Sequence, residues 1–80
     1  MVETYNKKEF LLPESINSCA SYHAKVFENG EYMFRIHDCI TGIRLRGDLN
    51  TPIGIEEAKG KVKALISGLK DFENYLHKHF

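Results

Sequence analysis

The sequence predicts an α+β domain, in which a three-stranded antiparallel β-meander precedes a long C-terminal α-helix packed on one face of the sheet. Between residues 22 and 46, apolar side chains alternate with polar ones, which is the period of half-buried strands. After Pro52, apolar residues recur at steps of three and four, which is the period of an amphipathic helix. The change of period separates the sheet from the helix.

The pattern of apolar and polar residues that indicates secondary structure is weakest in residues 1–18. The segment from Glu9 to Pro13 fits either a short edge strand that ends at the proline or an arm that packs on the core through Phe10 and Leu12. We favour the arm, and we assign residues 19–80 to a single domain with the order β-β-β-α.

The predicted strands have one apolar side. Its residues are Tyr22, Ala24, Val26, Tyr32, Phe34, Ile36, Ile43 and Leu45. A three-residue loop from Glu28 to Gly30, with the glycine in the left-handed region, pairs Val26 with Tyr32 and keeps this side continuous. A two-residue loop would turn Tyr32 to the other side, so we predict the longer loop.

The second hairpin is predicted to turn at Thr41-Gly42, because both residues favour turns. This turn would place Cys39 beside Arg44 and His37 beside Arg46.

The predicted helix is longer than the predicted sheet. Its apolar stripe consists of Ile55, Ala58, Val62, Leu65, Leu69, Phe72 and Leu76. About 24 helical residues extend for about 36 Å, whereas a strand of about six residues extends for about 20 Å. We therefore expect either a break near Gly68 or a far end that packs on something else.

Composition excludes several classes of protein. The 80 residues make one domain, and 11 basic and 11 acidic residues give a net charge of zero, which disfavours attraction of the whole molecule to nucleic acid or membrane. No leader or run of about 20 apolar residues is present, so we expect a soluble, cytoplasmic protein. Two cysteines, Cys19 and Cys39, fit a reducing compartment.

The sequence contains no motif of catalysis. It lacks a nucleophile elbow and a glycine-rich phosphate loop, and we predict that the protein is not an enzyme. Potential zinc or copper ligands are His23, His37, Cys39, His77 and His79. Because no CxxC or HxxxH spacing accompanies them, we predict no metal and no cofactor.

The polar side of the sheet is the candidate site, since it concentrates cations beside two large apolar groups. Its residues are Lys25, Phe27, Met33, Arg35, His37, Arg44 and Arg46. Such a face offers anchors for a protein partner or contacts for phosphates. The alternative is a solvated face whose arginines pair with Glu31 and Asp38. Phe27 and Met33 argue against that alternative, because solvation does not require large apolar groups.

Three resemblances suggest functions. The order of elements resembles the sheet-reading DNA-binding domains of phage-type integrases and the HicB-type antitoxin domain, although this chain lacks their sequence patterns. The segment from Val26 to Gly30, followed by Arg35-Ile36 and by the segment from Ile40 to Gly42, resembles the hairpin of a small type I-F anti-CRISPR family. That resemblance implies a phage inhibitor that covers a Cas subunit of a surveillance complex, with Phe27 on the binding surface; His37 stands where the family has an acidic residue. The alternative functions are nucleic-acid binding through the three-stranded sheet and the function of a HicB-like antitoxin domain.

The apolar residues near the C-terminal end of the predicted helix indicate self-association. The predicted dimer interface consists of Ala64, Gly68, Phe72, Tyr75 and Leu76. Small residues at Gly60, Ala64 and Gly68 allow a second helix to approach closely, or they make room for bulky residues of the sheet in the same chain. A further alternative is that the arm covers the apolar strip through Phe10, Leu11 and Leu12.

Overall fold

The computed structural model, which describes residues 2–15 and 18–80, contains a four-stranded antiparallel sheet and one helix. The elements are β1 (Glu3–Phe10), β2 (Ser21–Phe27), β3 (Glu31–Asp38), β4 (Thr41–Asp48) and α1 (Pro52–His79). The strands lie in the order β1-β2-β3-β4. The predicted α+β class and the C-terminal helix are confirmed, but the sheet has four strands rather than three.

The additional strand is β1, which occupies most of the predicted N-terminal arm. Tyr5 lies opposite Val26 and Glu9 lies opposite Tyr22, with a bulge near the start of the strand. The arm interpretation is therefore wrong for residues 3–10. Hydrogen bonding to the free edge of β2 stabilises this polar segment as a strand, although its sequence lacks an apolar alternation.

The first hairpin has the predicted loop. Val26 lies opposite Tyr32, and Ala24 lies opposite Phe34. Gly30 adopts a φ of 89°, and its N–H donates to the carbonyl of Phe27 at 2.9 Å. The bulged loop with a left-handed glycine is confirmed.

The predicted turn of the second hairpin is wrong. Asp38 pairs with Thr41, so the turn consists of Cys39 and Ile40, and Cys39 adopts a φ of 59°. This register places Leu45 opposite Phe34, whereas a turn at Thr41-Gly42 would place Leu45 opposite Asp38. Both registers keep the same side chains on the apolar side, so the pairing of apolar neighbours across the strands outweighs the local turn preference.

The corrected register also changes the neighbours on the polar side. Arg44 lies opposite Arg35 rather than Cys39, and Arg46 lies opposite Met33 rather than His37.

Helix α1 is continuous, so the predicted break near Gly68 does not occur. Thr51 caps its first turn, because the Thr51 side-chain oxygen accepts a hydrogen bond from the Gly54 N–H at 3.0 Å. Among the strands, the helix contacts β4 alone, and Lys61 Nζ donates to the carbonyl of Arg46 at 3.3 Å. The helix therefore lies along the β4 side and leaves much of the apolar side of the sheet open.

No residue in the described part of the chain is buried, so the sheet and helix do not close a core. A Cβ atom on Gly60 or Gly68 would meet nothing within 4 Å. The interpretation that these glycines accommodate residues of the sheet is therefore wrong. Phe10, Leu11 and Leu12 are themselves exposed and do not cover the helix, so the covering-arm alternative is wrong as well.

Candidate binding face of the sheet

The pairing of the strands arranges the polar side of the sheet in rows. We call this side the open face, because residues directly opposite each other in an antiparallel pair lie on the same face. Its first row is Asn6, Lys25, Met33 and Arg46. Its second row is Lys8, His23, Arg35 and Arg44. Its third row is Phe10, Ser21, His37 and Gly42.

The second row consists of basic side chains alone, and we call it the cationic row (Lys8, His23, Arg35 and Arg44). Neighbours across antiparallel strands have Cα atoms about 4.5–5.5 Å apart, and like charges at this spacing repel. The Nε atom of Arg35 is buried without a hydrogen-bond partner in the described part of the molecule. Lys8, Arg35 and Arg44, with His23 between the first two and no carboxylate in the row, form a site that favours an anionic ligand.

His23 lies in the positive potential of this row, which affects its pKa. Burial lowers the pKa of His23 below its ordinary value of 6.5, and the charges of Lys25, Arg35 and Lys8 lower it further. The nearby carboxylate of Glu3 acts in the opposite direction. The imidazole Nε2 lies 2.7 Å from Oδ1 of Asn6, which fixes the ring between β1 and β2.

The lowered pKa of His23 predicts a loss of stability in mild acid. Since the unfolded chain binds the proton more tightly than the folded chain, the free energy of unfolding falls as the pH drops below about 6.5. We expect the urea midpoint to decrease between pH 7.5 and pH 5.5. The decrease should be smaller in His23→Gln, whereas an equal decrease in both proteins would contradict the assignment to His23.

Apolar anchors lie at one end of the open face. Phe27, Met33 and Arg46 line a depression of about 450 Å³ together with Tyr32, and Glu31 and Asp48 also line it. An aromatic ring, a methionine and an arginine are the residue types that protein interfaces favour.

Lys25 connects this depression to β1. Its Nζ lies 5.9 Å from the centre of the Phe27 ring and 3.5 Å from a carboxylate oxygen of Glu3. The lysine is therefore partly neutralised and held against the aromatic ring.

The structure thus divides the predicted site into parts. Phe27, Met33 and Arg46 come together, Arg35 and Arg44 belong to the cationic row, and Lys25 joins the two. His37 lies in the third row beside the turn, away from the anchors. Lys8 was missed, because its contribution depends on recognising β1 as a strand.

The predicted ion pairs of a solvated face do not form. Within residues 2–15 and 18–80, the salt bridges are Lys7 with Glu9 and Lys25 with Glu3. Neither Glu31 nor Asp38 pairs with an arginine of the open face. The charges of Arg35, Arg44 and Arg46 are thus available to a ligand.

The two cysteines lie close together at the turn end of the sheet. A hydrogen bond to the Cys39 side chain raises the pKa of the Cys19 thiol, and desolvation raises it further. Both thiols are free and exposed. A raised pKa disfavours the thiolate, so Cys19 lacks the activation of a catalytic nucleophile.

Comparisons with protein-family models, with curated proteins and with solved structures give no match. In the described part of the chain, no group of three or more histidine, cysteine or acidic residues is arranged to hold a metal ion. Over the same residues, α1 lacks the apolar character that crossing a membrane requires. The functional assignment therefore depends on the chemistry of the open face.

Proposed function

We propose that this chain is a non-enzymatic binding protein that inhibits a protein partner by occupying an acidic site with its open face. The observation that supports this proposal is the position of the cationic row directly beside the depression lined by Phe27 and Met33. The row supplies charge complementarity, which steers association, and the depression supplies apolar anchors, which slow dissociation.

A protein partner fits this face better than nucleic acid does. Phosphate contacts need cations alone, whereas Phe27, Met33 and Tyr32 surround a depression that an apolar side chain of a partner fills. The net charge of zero also provides no long-range attraction for a polyanion. Nucleic-acid binding through the cationic row remains the second candidate, and it has a different dependence on salt.

The class of partner comes from the resemblance to the type I-F anti-CRISPR family. The first hairpin keeps the aligned segment intact, with Phe27 at the edge of the binding face and Gly30 in the loop. The second part of the resemblance is weaker, because Gly42 lies in β4 rather than in a turn. A Cas subunit of a crRNA-guided surveillance complex is therefore the partner that we propose on the first hairpin alone.

A binding titration tests the proposal. Purified type I-F surveillance complex and 20-mer single- and double-stranded oligonucleotides are titrated with the full chain at about 50 and 200 mM salt. We expect binding to the complex that weakens less than about tenfold over this range, because apolar anchors are screened little. Four phosphate contacts would produce a loss of about 100-fold.

Matched variants locate the binding surface. Phe27→Ala and Arg46→Ala should weaken binding to the complex, while Lys78→Ala, on the end of α1, should not. Absence of binding to the complex overturns the anti-CRISPR assignment. Binding to oligonucleotides with a steep salt dependence and no effect of Phe27→Ala would replace the protein partner with nucleic acid.

A further inference from the structure

We infer that the open apolar side of the sheet is filled by the C-terminal half of helix α1 from a second copy, so that the protein is an obligate two-fold dimer. This inference concerns the side of the sheet opposite the open face. It is independent of the proposed function.

The first observation is an unfilled groove between the sheet and the helix. The groove has a volume of about 470 Å³. Val26, Phe34 and Leu45 line its floor, and Val62 and Ile66 line the wall that α1 provides. A folded domain excludes such apolar surface from water, so a monomer with this shape lacks most of the driving force for folding.

The second observation is the amount of exposed surface. The chain exposes 6541 Å². A compact monomer of 9.2 kDa exposes about 4,900 Å², so the chain exposes about 1,600 Å² more than its mass predicts. A standard protein interface buries about 800 Å² per partner, and obligate dimers bury more. The excess matches an obligate interface.

The dimensions of the molecule agree with the exposed area. The radius of gyration is 14.8 Å, and the longest extent is 43 Å. A compact domain of 80 residues has a radius of gyration of about 11.6 Å. The difference arises because α1 extends beyond the sheet.

The third observation identifies the segment that fills the groove. Leu69, Phe72 and Leu76 remain 55%, 58% and 42% exposed on the part of α1 beyond its contacts with β4. These residues continue the stripe of Val62 and Ile66, because residues three or four apart share a face of a helix. One chain thus carries both an uncovered apolar groove and an uncovered apolar helix end.

A second copy of the chain covers both the apolar groove and the apolar end of the helix. In a two-fold dimer each helix end enters the groove of the other chain, which makes the interface self-complementary. The net charge of zero removes electrostatic repulsion between copies. Lys59 and Lys63 line the groove. An antiparallel partner helix brings Glu73, which lies about 20° from Val62 around α1, toward those lysines.

This arrangement changes the predicted dimer interface. At about 100° per residue, Ala64 lies about 200° from Val62, and Gly68 lies about 200° from Ile66. Ala64 is therefore on the side of α1 opposite the apolar stripe, whereas Gly68, about 100° from Leu69 and about 40° from Phe72, lies at the margin of the stripe. Of the residues predicted from the sequence, the proposed interface retains Phe72 and Leu76, places Gly68 and Tyr75 at its margin, and excludes Ala64.

Sedimentation equilibrium of the full chain at about 1–100 μM tests the dimer. We expect a species of twice 9.2 kDa, and a thermal midpoint that rises with protein concentration because unfolding is coupled to dissociation. Leu69→Glu should weaken association at least about 100-fold or leave the chain unfolded, while the matched control Ala64→Glu should remain dimeric. A species of 9.2 kDa with a midpoint independent of concentration overturns the inference.

A variant that keeps the fold tests whether a second helix approaches α1 closely at Gly68. Gly68→Ala improves helix propensity at a position where a Cβ meets nothing within 4 Å, so we expect a higher thermal midpoint and an intact dimer. A lower midpoint with weaker association would show that helices approach each other at Gly68. That result, or a dimer disrupted by Ala64→Glu and unaffected by Leu69→Glu, would overturn the groove as the interface.

Discussion

Replacing Gly30 by alanine is expected to lower the free energy of unfolding by about 1–3 kcal/mol, because a non-glycine residue at positive φ is strained. Gly30 has a φ of 89°, and an added Cβ would overlap the side chain of Asn50. Asn50 Nδ2 donates to the carbonyl of Asn29 at 2.7 Å, and Leu49 N–H donates to the carbonyl of Gly30 at 2.7 Å. The substitution therefore disturbs the contact between the first hairpin and the segment that leads into α1.

Urea denaturation at a fixed protein concentration measures this effect. Gly60→Ala is the matched control, since its Cβ enters open space on a helix and should raise the free energy of unfolding by about 0.5–1 kcal/mol. Equal effects of the two substitutions would show that the conformation of Gly30 does not determine the stability of the hairpin.

The two hairpins show what could be predicted from the sequence. In the first, Asn29-Gly30 and the apolar alternation select the same three-residue loop, so its register could be predicted. In the second, a turn at Thr41-Gly42 satisfies the alternation equally well, and the observed register differs in pairing Leu45 with Phe34 rather than with Asp38. The turn residues that result are unusual, because Cys39 has a positive φ and Ile40 is 96% exposed. Local turn propensity could not identify them.

The sequence pattern does not predict strand β1 or the position of α1, and the reasons differ from the reason for the hairpin turn. The polar segment of β1 is a strand because β2 offers a free edge, and a pattern based on side chains does not detect that opportunity. The helix was correctly predicted to be too long for its sheet. Its position beside β4 could not be predicted, because the apolar stripe specifies which side of α1 is buried but not what buries it.

The individual residues of the candidate site could be predicted from the sequence, but their positions relative to one another could not. Phe27, Met33 and Arg46 were identified from alternation, but their common depression depends on the register of β4. The cationic row needs both that register and β1, since Lys8 and Arg44 lie at its two ends. The alternation of charged residues along single strands therefore predicts which face is polar. The arrangement of charges on that face depends on how the strands pair.

The dimer and the open face have a combined consequence. If the apolar sides of two sheets come together around the helices, the two open faces point outward, and each dimer carries two binding sites. Two linked sites raise the apparent affinity for a partner that presents repeated acidic surfaces, provided that its spacing matches. Leu69→Glu should then weaken binding to such a partner without changing any residue of the open face.

Arg44→Glu is expected to separate stability from binding. Arg44 lies directly opposite Arg35, and Arg35 lies opposite His23, so the substitution replaces a repulsive pair with an attractive one. Opposite charges across strands contribute about 0.2–1 kcal/mol, and the exposure of Arg44 favours the lower part of this range. The free energy of unfolding should rise by a few tenths of a kcal/mol to about 1 kcal/mol.

Binding should change in the opposite direction, because the substitution places a carboxylate at the β4 end of the cationic row, which we propose faces an acidic partner. Loss of an arginine that is an interface hot spot costs about 2 kcal/mol or more, so reversal of the charge at Arg44 should weaken the affinity at least about 30-fold. Lys78→Glu makes the same change of net charge at the end of α1 and should leave the affinity unchanged. A protein that gains stability and keeps its affinity after Arg44→Glu would show that the cationic row does not contact the partner, since repulsion within the row would then have been relieved with no effect on function.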